Sequence, residues 1–401
     1  MTFRRMSLAA GLGLTLVAAG CQNDELFTPL TPAYPGGAMF VRYVAMGNSI
    51  TAGFQSGGIN DTSQLQSYVR LVANAMGTAY YYPQLVFPGC PPPFTNIFTN
   101  TRVAGGTATT CYLRSSNIPP FLTNVAVPQA EVLDILQNGP APGTNSNALT
   151  QLMLGGRTQI QAMMDARPSF VSVWIGNNDL LGAAMAGDTT LATDTTIFKS
   201  RYAEVLDSIE SGGAKALLIG VGLGNLGLGT VLPFFSRGST YYGLWAGGAF
   251  TASAPFFSVD ANCAPPRGDT VLVSFPYGFG LLAAGATTTT VLDCTAAPVI
   301  EPPEVLFFVQ LQIAYNTFIQ DEAATRSWAY MDLNAAFDSV AGVAGNFAPF
   351  PNSSAACSAS PFGLAFSCDG IHPSAASHRL IAKKVVQAIN AEYLSAIPAV
   401  P

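Results

Sequence analysis

Charge is what this sequence has least of. Only 10% of its 401 residues are Asp, Glu, Lys or Arg, well under the quarter usual for a globular chain. Its seventeen basic residues form no stripe that could neutralise phosphates and the net charge is −6, which excludes nucleic acid as a partner. Histidine is scarcer still, with only His372 and His378, and no C-x-x-C occurs. A structural zinc site therefore lacks the ligands it would need. No internal repeat is present. Gly222-Leu223-Gly224-Asn225-Leu226-Gly227 spells the dinucleotide fingerprint, but no amphipathic helix follows it and no acidic residue sits about twenty positions on, which excludes a nucleotide site there.

Apolar residues, by contrast, make up 49%, enough for a sizeable core in one large α/β domain with insertions, placed at 39–396. The surface this composition builds is polar but uncharged. Residues 1–21 read as a targeting segment: Arg4 and Arg5, then an apolar run Met6–Ala19 too short to span a bilayer. Ala18-Ala19-Gly20-Cys21 resembles a bacterial lipobox, which makes Cys21 the acylated first residue of the mature chain, with plain cleavage as the other reading. Gln22 after that cysteine favours the outer membrane or periplasm in a diderm host. Arg4-Arg5-Met6-Ser7-Leu8 faintly resembles a twin-arginine signal, so the export route stays open. The Pro-, Thr- and Gly-rich stretch 22–38 reads as a tether. Besides Cys21 there are six cysteines, an even number for an exported chain. Pairing of near neighbours, Cys90–Cys111, Cys263–Cys294 and Cys357–Cys368, closes one local loop each.

Along the chain, strands and helices alternate. Phe40–Met46, Phe170–Ile175, Ala216–Ile219 and Trp328–Leu333 read as strands, with Tyr80–Phe87 as a further one. Helices are expected from a cap at Thr62-Ser63 to a stop at Gly77, over Leu149–Met164 with a break at Gly155-Gly156, over Thr195–Glu210, from Pro303 to Ala323 and from Ser374 to about Tyr393. Residues 124–132 read as a strand end turning into a short helix. The pattern predicts a parallel sheet with helices on both faces and the ligand site at the carboxyl ends of the strands. The stretch 220–299 is Gly-, Phe-, Tyr- and Thr-rich without helical period and reads as a long loop-rich insertion, a lid or binding wall, with 222–300 as its bounds.

Three of those strand ends and one late loop carry chemistry. Gly47-Asn48-Ser49 offers a hydroxyl in a small-residue turn, Gly176-Asn177-Asn178-Asp179 a side-chain amide, and Asp369-Gly370-Ile371-His372 a carboxylate and an imidazole three residues apart. A serine hydroxyl becomes a nucleophile when imidazole takes its proton, and the imidazole needs a carboxylate on its other nitrogen. A tetrahedral intermediate then needs donors for its oxyanion, which Asn178, the Ser49 N–H and an N–H from the turn at 124–130 can supply. His378, near the face of Ile381 and Val385, reads as packing or surface. The spelling at Ser49 excludes the α/β-hydrolase elbow G-x-S-x-G, since Thr51 stands where its second glycine belongs.

Together these blocks resemble the SGNH (GDSL) hydrolase superfamily over roughly residues 40–393. Gly47–Gly53 matches G-D-S-x-x-x-G with Asn48 in place of Asp; Gly176–Asp179 matches G-x-N-D; Asp369–His372 matches D-x-x-H. The N-x-G-x-x-G block aligns on Asn124–Gln129, with Gln129 at the oxyanion glycine, and Gly89 is the alternative donor. The resemblance implies a flavodoxin-like three-layer α/β/α sandwich with a central parallel sheet. It also implies a serine ester hydrolase acting through an acyl-enzyme, with catalytic Ser49, Asp369, His372, Asn178 and Gln129, no cofactor and no metal. Its substrates would be acyl esters of lipids, aryl alcohols or acetylated sugars, and its membrane contact the lipid on Cys21. Oligomeric state stays open. The rival reading keeps the fold as a lipoprotein that binds glycan or lipid without turnover, motivated by Asn48, Gln129 and the aromatic insertion.

Overall fold

Four short strands, each almost wholly apolar, set the frame: β1 (Tyr43–Gly47), β2 (Phe170–Trp174), β3 (Lys215–Ile219) and β4 (Ala329–Met331). They pair in that order, all parallel. The computed structural model describes residues 36–111, 115, 119–137, 148–222, 234–341, 343–348 and 350–401. The expected leader 1–21, Cys21, the tether up to residue 35, and the fingerprint-like glycines beyond Gly222 lie outside them. On the far side of β1, residues 123–127 run alongside without regular strand geometry: Ala45 N–H donates to Thr123 O (2.8 Å), Val125 N–H to Ala45 O (2.9 Å) and Val127 N–H to Gly47 O (3.1 Å). Counting that segment as the second strand in the chain gives the order 2-1-3-4-5, the flavodoxin-like arrangement.

Such a sheet must bury both faces, and the strands alternate accordingly. Val44, Met46, Val171, Val173, Ala216 and Leu218 face one core, while Tyr43, Ala45, Phe170, Trp174, Leu217 and Ile219 face the other. The first core is closed by the helices α3 (Gln159–Ala166), α4 (Asn178–Ala186), α5 (Thr195–Ser211) and α6 (Pro302–Thr325). The second is closed by α2 (Tyr68–Met76) and α7 (Ala375–Tyr393). The three-layer α/β/α sandwich with a central parallel sheet is thus the observed fold.

Four local expectations change. The helix expected from Thr62 to Gly77 is two helices, Asp61–Leu65 capped by Asn60 and α2 capped by Ser67. Tyr80–Phe87 is not a strand: Pro83 lacks a ladder donor, and the carbonyls of Tyr81 and Leu85 serve Thr123 and Asp61 on different segments. The insertion is not loop-rich throughout. Its described part holds helices Gly238–Ala246 and Phe275–Ala284 and an antiparallel trio of short strands, gathered on a third core with Tyr241, Phe250, Phe257 and Phe275 that Phe362 and Phe366 from outside the insertion share. Finally, Leu333–Ala341, unforeseen, is helical.

The three disulfides pair as near neighbours, Cys90–Cys111, Cys263–Cys294 and Cys357–Cys368. That chemistry belongs to an oxidising compartment. Among the described residues no helix is long and apolar enough to cross a membrane.

Candidate active site

The carboxyl end of β1 turns sharply. Gly47 has φ +150°, and a Cβ there would lie 2.3 Å from the carbonyl oxygen of Trp174, so only glycine fits. The single-turn helix α1 (Ser49–Ala52) follows. Asn48 caps it, its Oδ1 accepting from the Ile50 N–H at 3.1 Å. An amide at the aspartate position of the family pattern therefore keeps the capping bond without the charge. Thr51 anchors the helix from below: its carbonyl accepts from Ser67 Oγ (3.0 Å) and from Asn124 Nδ2 (2.9 Å). Gly47 itself is bracketed by a residue the motifs gave no reason to notice. Gln159, at the first position of α3, accepts from the Gly47 N–H and donates to the Gly47 carbonyl, both at 2.9 Å.

Asp369 and His372 arrive on the loop before α7. His372 Nε2 stands 2.9 Å from Ser49 Oγ, and His372 Nδ1 stands 2.8 Å from Asp369 Oδ2, across a sequence separation of 323 residues between serine and histidine. The tautomer follows: Nδ1–H donates to the carboxylate, and Nε2 is left to accept from the hydroxyl. The ring of Phe54 lies 4.8 Å from the His372 ring, centroid to centroid. Ser49 and Asp369 are buried to within a tenth of their surface.

Asp369 is unusually well supplied with donors. Oδ2 also accepts from the Gly57 N–H at 2.6 Å, and Oδ1 accepts from the N–H groups of Ile371 (3.0 Å) and His372 (2.9 Å) and from Ser367 Oγ (3.1 Å). Burial alone would raise its pKa. The positive charge available on His372 and these hydrogen bonds overcome that and hold it at about 2. The turn that supplies Gly57 is sewn to the same loop by Ser56, whose N–H donates to Ser367 Oγ (2.8 Å) and whose Oγ accepts from the Cys368 N–H (3.1 Å). Nothing in the sequence flagged Ser56, Gly57 or Ser367.

The residues expected to supply oxyanion donors follow the ends of the neighbouring segments: Gln129 comes after residues 123–127 and Asn178 after β2. Gln129 has φ +66°, the left-handed conformation that glycine supplies at no steric cost. Its side chain is exposed. Among the described residues neither the Ser49 N–H nor the Gln129 N–H meets an acceptor. Asn178 opens α4, and its Nδ2 donates to the carbonyl of Ala130 at 2.9 Å. One proton of that amide remains for a ligand. Behind it, the buried Asp179 accepts from the Val132 N–H at 3.1 Å. Burial, then the charge of Glu131, push its carboxyl up to about 7. Gly89, the alternative donor, has φ +127° and packs against Ile59 and Asn60. His378 is fully buried on α7, its Nδ1 accepting from the Tyr68 N–H at 3.2 Å, and takes no part in the site. Among the described residues no group of His, Cys, Asp and Glu could hold a metal ion.

No family model and no curated protein matches the chain. Solved structures with low similarity include an acetylxylan esterase, Axe2, from Geobacillus stearothermophilus, 13% identical over 88% of this chain and 93% of that one, with a TM-score of 0.38. They also include TesA, 12% identical over 88% and 99%, with a TM-score of 0.36. A putative GDSL-like lipase from Parabacteroides merdae is 10% identical over 87% and 95%, with a TM-score of 0.37.

Proposed function

We propose that the chain is a serine ester hydrolase of the SGNH kind. One observation carries the reading: three side chains from the two ends of the sequence stand in a single hydrogen-bonded row, Asp369 Oδ2 to His372 Nδ1 at 2.8 Å and His372 Nε2 to Ser49 Oγ at 2.9 Å. Ser49 Oγ attacks the ester carbonyl while His372 Nε2 takes its proton, giving a tetrahedral oxyanion and an imidazolium. The Ser49 N–H, the Gln129 N–H and the free amide proton of Asn178 hold that oxyanion. Collapse expels the alcohol, which receives the proton from His372, and leaves the acyl group on Ser49. Water, deprotonated by His372, then repeats the sequence and releases the acid. Asp369 orients the ring and stabilises the imidazolium without taking its proton, since a carboxyl held at about 2 is too weak a base.

The substrate class is acyl esters of lipids, aryl alcohols or acetylated carbohydrates. The setting is the cell envelope, with export supported by the disulfides and attachment through a lipid on Cys21. The rival reading, a binding module, rests on Asn48, Gln129 and the aromatic insertion. Asn48 still caps its helix and Gln129 still takes the left-handed turn, so neither departure gives a reason for inactivity.

The test is hydrolysis of nitrophenyl esters from acetate to decanoate by the full-length chain in non-ionic detergent, beside Ser49→Ala. Turnover by the parent and loss of at least about a thousandfold in the variant is expected. Equal turnover by both would sink the assignment of Ser49. No turnover by either, together with no covalent labelling of Ser49 by a fluorophosphonate, would leave the binding module as the better reading.

A further inference from the structure

Gln159 is fully buried, and a buried amide is stable only where its donor and acceptor are both used. Both go to one residue. The Gly47 N–H donates to its Oε1 and its Nε2 donates to the Gly47 carbonyl, each at 2.9 Å. This is the pairing a neighbouring strand would offer, made here by one side chain where the ladder ends. Gln159 is itself fixed by a helix start in which Thr158 and Gln161 bond each other's backbone N–H, at 3.1 and 2.9 Å. The Gly47 carbonyl also accepts from the Val127 N–H at 3.1 Å. Gly47 lies two residues before Ser49, and Val127 two residues before Gln129. The carbonyl that Gln159 grips therefore takes part in the last backbone hydrogen bond, among the described residues, between β1, which leads to Ser49, and the segment that leads to Gln129.

We propose that Gln159 is a positioning residue, which sets the gap between Ser49 and the Gln129 N–H by holding Gly47 from both of its polar groups. The proposal rests on the assignment of Ser49 as nucleophile. A misplaced oxyanion donor weakens transition-state binding more than ground-state binding, so the loss falls on kcat rather than KM.

The decisive variant is Gln159→Glu. Protonated, the introduced carboxyl has the same donor and acceptor as the amide. Ionised, it can only accept, and it sets a negative charge against the Gly47 carbonyl. Burial raises its pKa above the ordinary carboxyl range. The ratio of its kcat to that of the parent, with the same nitrophenyl ester, is expected to be near one at pH 5 and to fall about ten- to a hundredfold by pH 9, with KM within about twofold. Effects of pH common to the two proteins cancel in the ratio. Gln159→Leu, which has neither group, should show the loss at every pH. A ratio for Gln159→Glu that stays flat from pH 5 to 9, or a loss that only follows unfolding in far-UV circular dichroism, overturns the positioning role. Should Gln159→Leu fail to fold, the Gln159→Glu ratio decides alone. If the parent and Ser49→Ala are equally inert, the hydrolase reading falls and this role with it. If the parent turns over and the ratio is flat, only this role falls.

Discussion

Replacing His378 with phenylalanine should favour the variant over the parent progressively as pH falls from neutral to acid. His378 is the only other histidine, fully buried between α2 and α7, with Nδ1 bonded to the Tyr68 N–H at 3.2 Å. Its Nε2 meets no partner among the described residues. Burial, and then the charge of His372, lower its pKa from 6.5 to about 3. The folded protein therefore keeps this ring neutral while the unfolded chain protonates it below 6.5. The stability is present in full above pH 6.5 and is lost as pH falls toward 3. Each pH unit in that window costs about 1.4 kcal/mol, so the parent loses about 2 kcal/mol from this ring by pH 5 and about 3 by pH 4. Phenylalanine leaves the Tyr68 N–H unpaired, at about 1–3 kcal/mol, and removes the orphaned Nε2–H, which offsets a similar amount. At pH 7 the variant should thus lie within about 2 kcal/mol of the parent. Between pH 7 and pH 4 the difference should move by about 3 kcal/mol in the variant's favour. Urea denaturation followed by tryptophan fluorescence at pH 7, 6, 5 and 4 measures it. Curves that stay parallel within about 1 kcal/mol would refute the argument, for they would mean that the buried ring is already charged or already exposed.

Two substitutions probe the oxyanion side. Asn178→Ala should lower kcat about a hundred- to a thousandfold with little change in KM, measured with nitrophenyl acetate; an effect confined to KM would remove Asn178 from the oxyanion site. Gln129→Gly keeps the backbone N–H and relieves a left-handed side-chain-bearing residue, so it should raise stability by about 0.5–1 kcal/mol and hold kcat within a few-fold; a collapse of kcat would show that the Gln129 side chain itself acts.

What the sequence disclosed is what leaves a pattern of side chains. The four strands of the sheet are short, almost wholly apolar runs, and Ser49 and Asn178 stand just past two of them, so motif and strand end could be read together. Asp369 and His372 were legible because a three-residue offset on one turn needs no fold to bring them together. Backbone donors leave no such trace. The Gly57 N–H on Asp369 is invisible because any residue has one, and Gln159 because one amide at a helix start has no periodicity. The insertion's helices, GSTYYGLWA and FPYGFGLLAA, contain no charged residue. A helix is recognised from the contrast between a polar and an apolar face, and these two offer none. At Tyr80–Phe87 the aromatic run argued for a strand, and Pro83 with scattered partners decided otherwise.

The span between Ser49 and His372 also has a consequence in time. A ribosome adds about 10 residues per second, so the 323 residues that separate the two take about half a minute to make after the serine has been joined. The turn at Ser56 and Gly57, which steadies Asp369, waits as long for its partner. On the proposed mechanism the hydroxyl has no base until the Asp369 loop is made, and a chain broken off before that loop forms no acyl-enzyme. On that reading the serine has no base while the segment between Ser49 and His372 is being made, and a truncated chain leaves the acyl esters it meets intact.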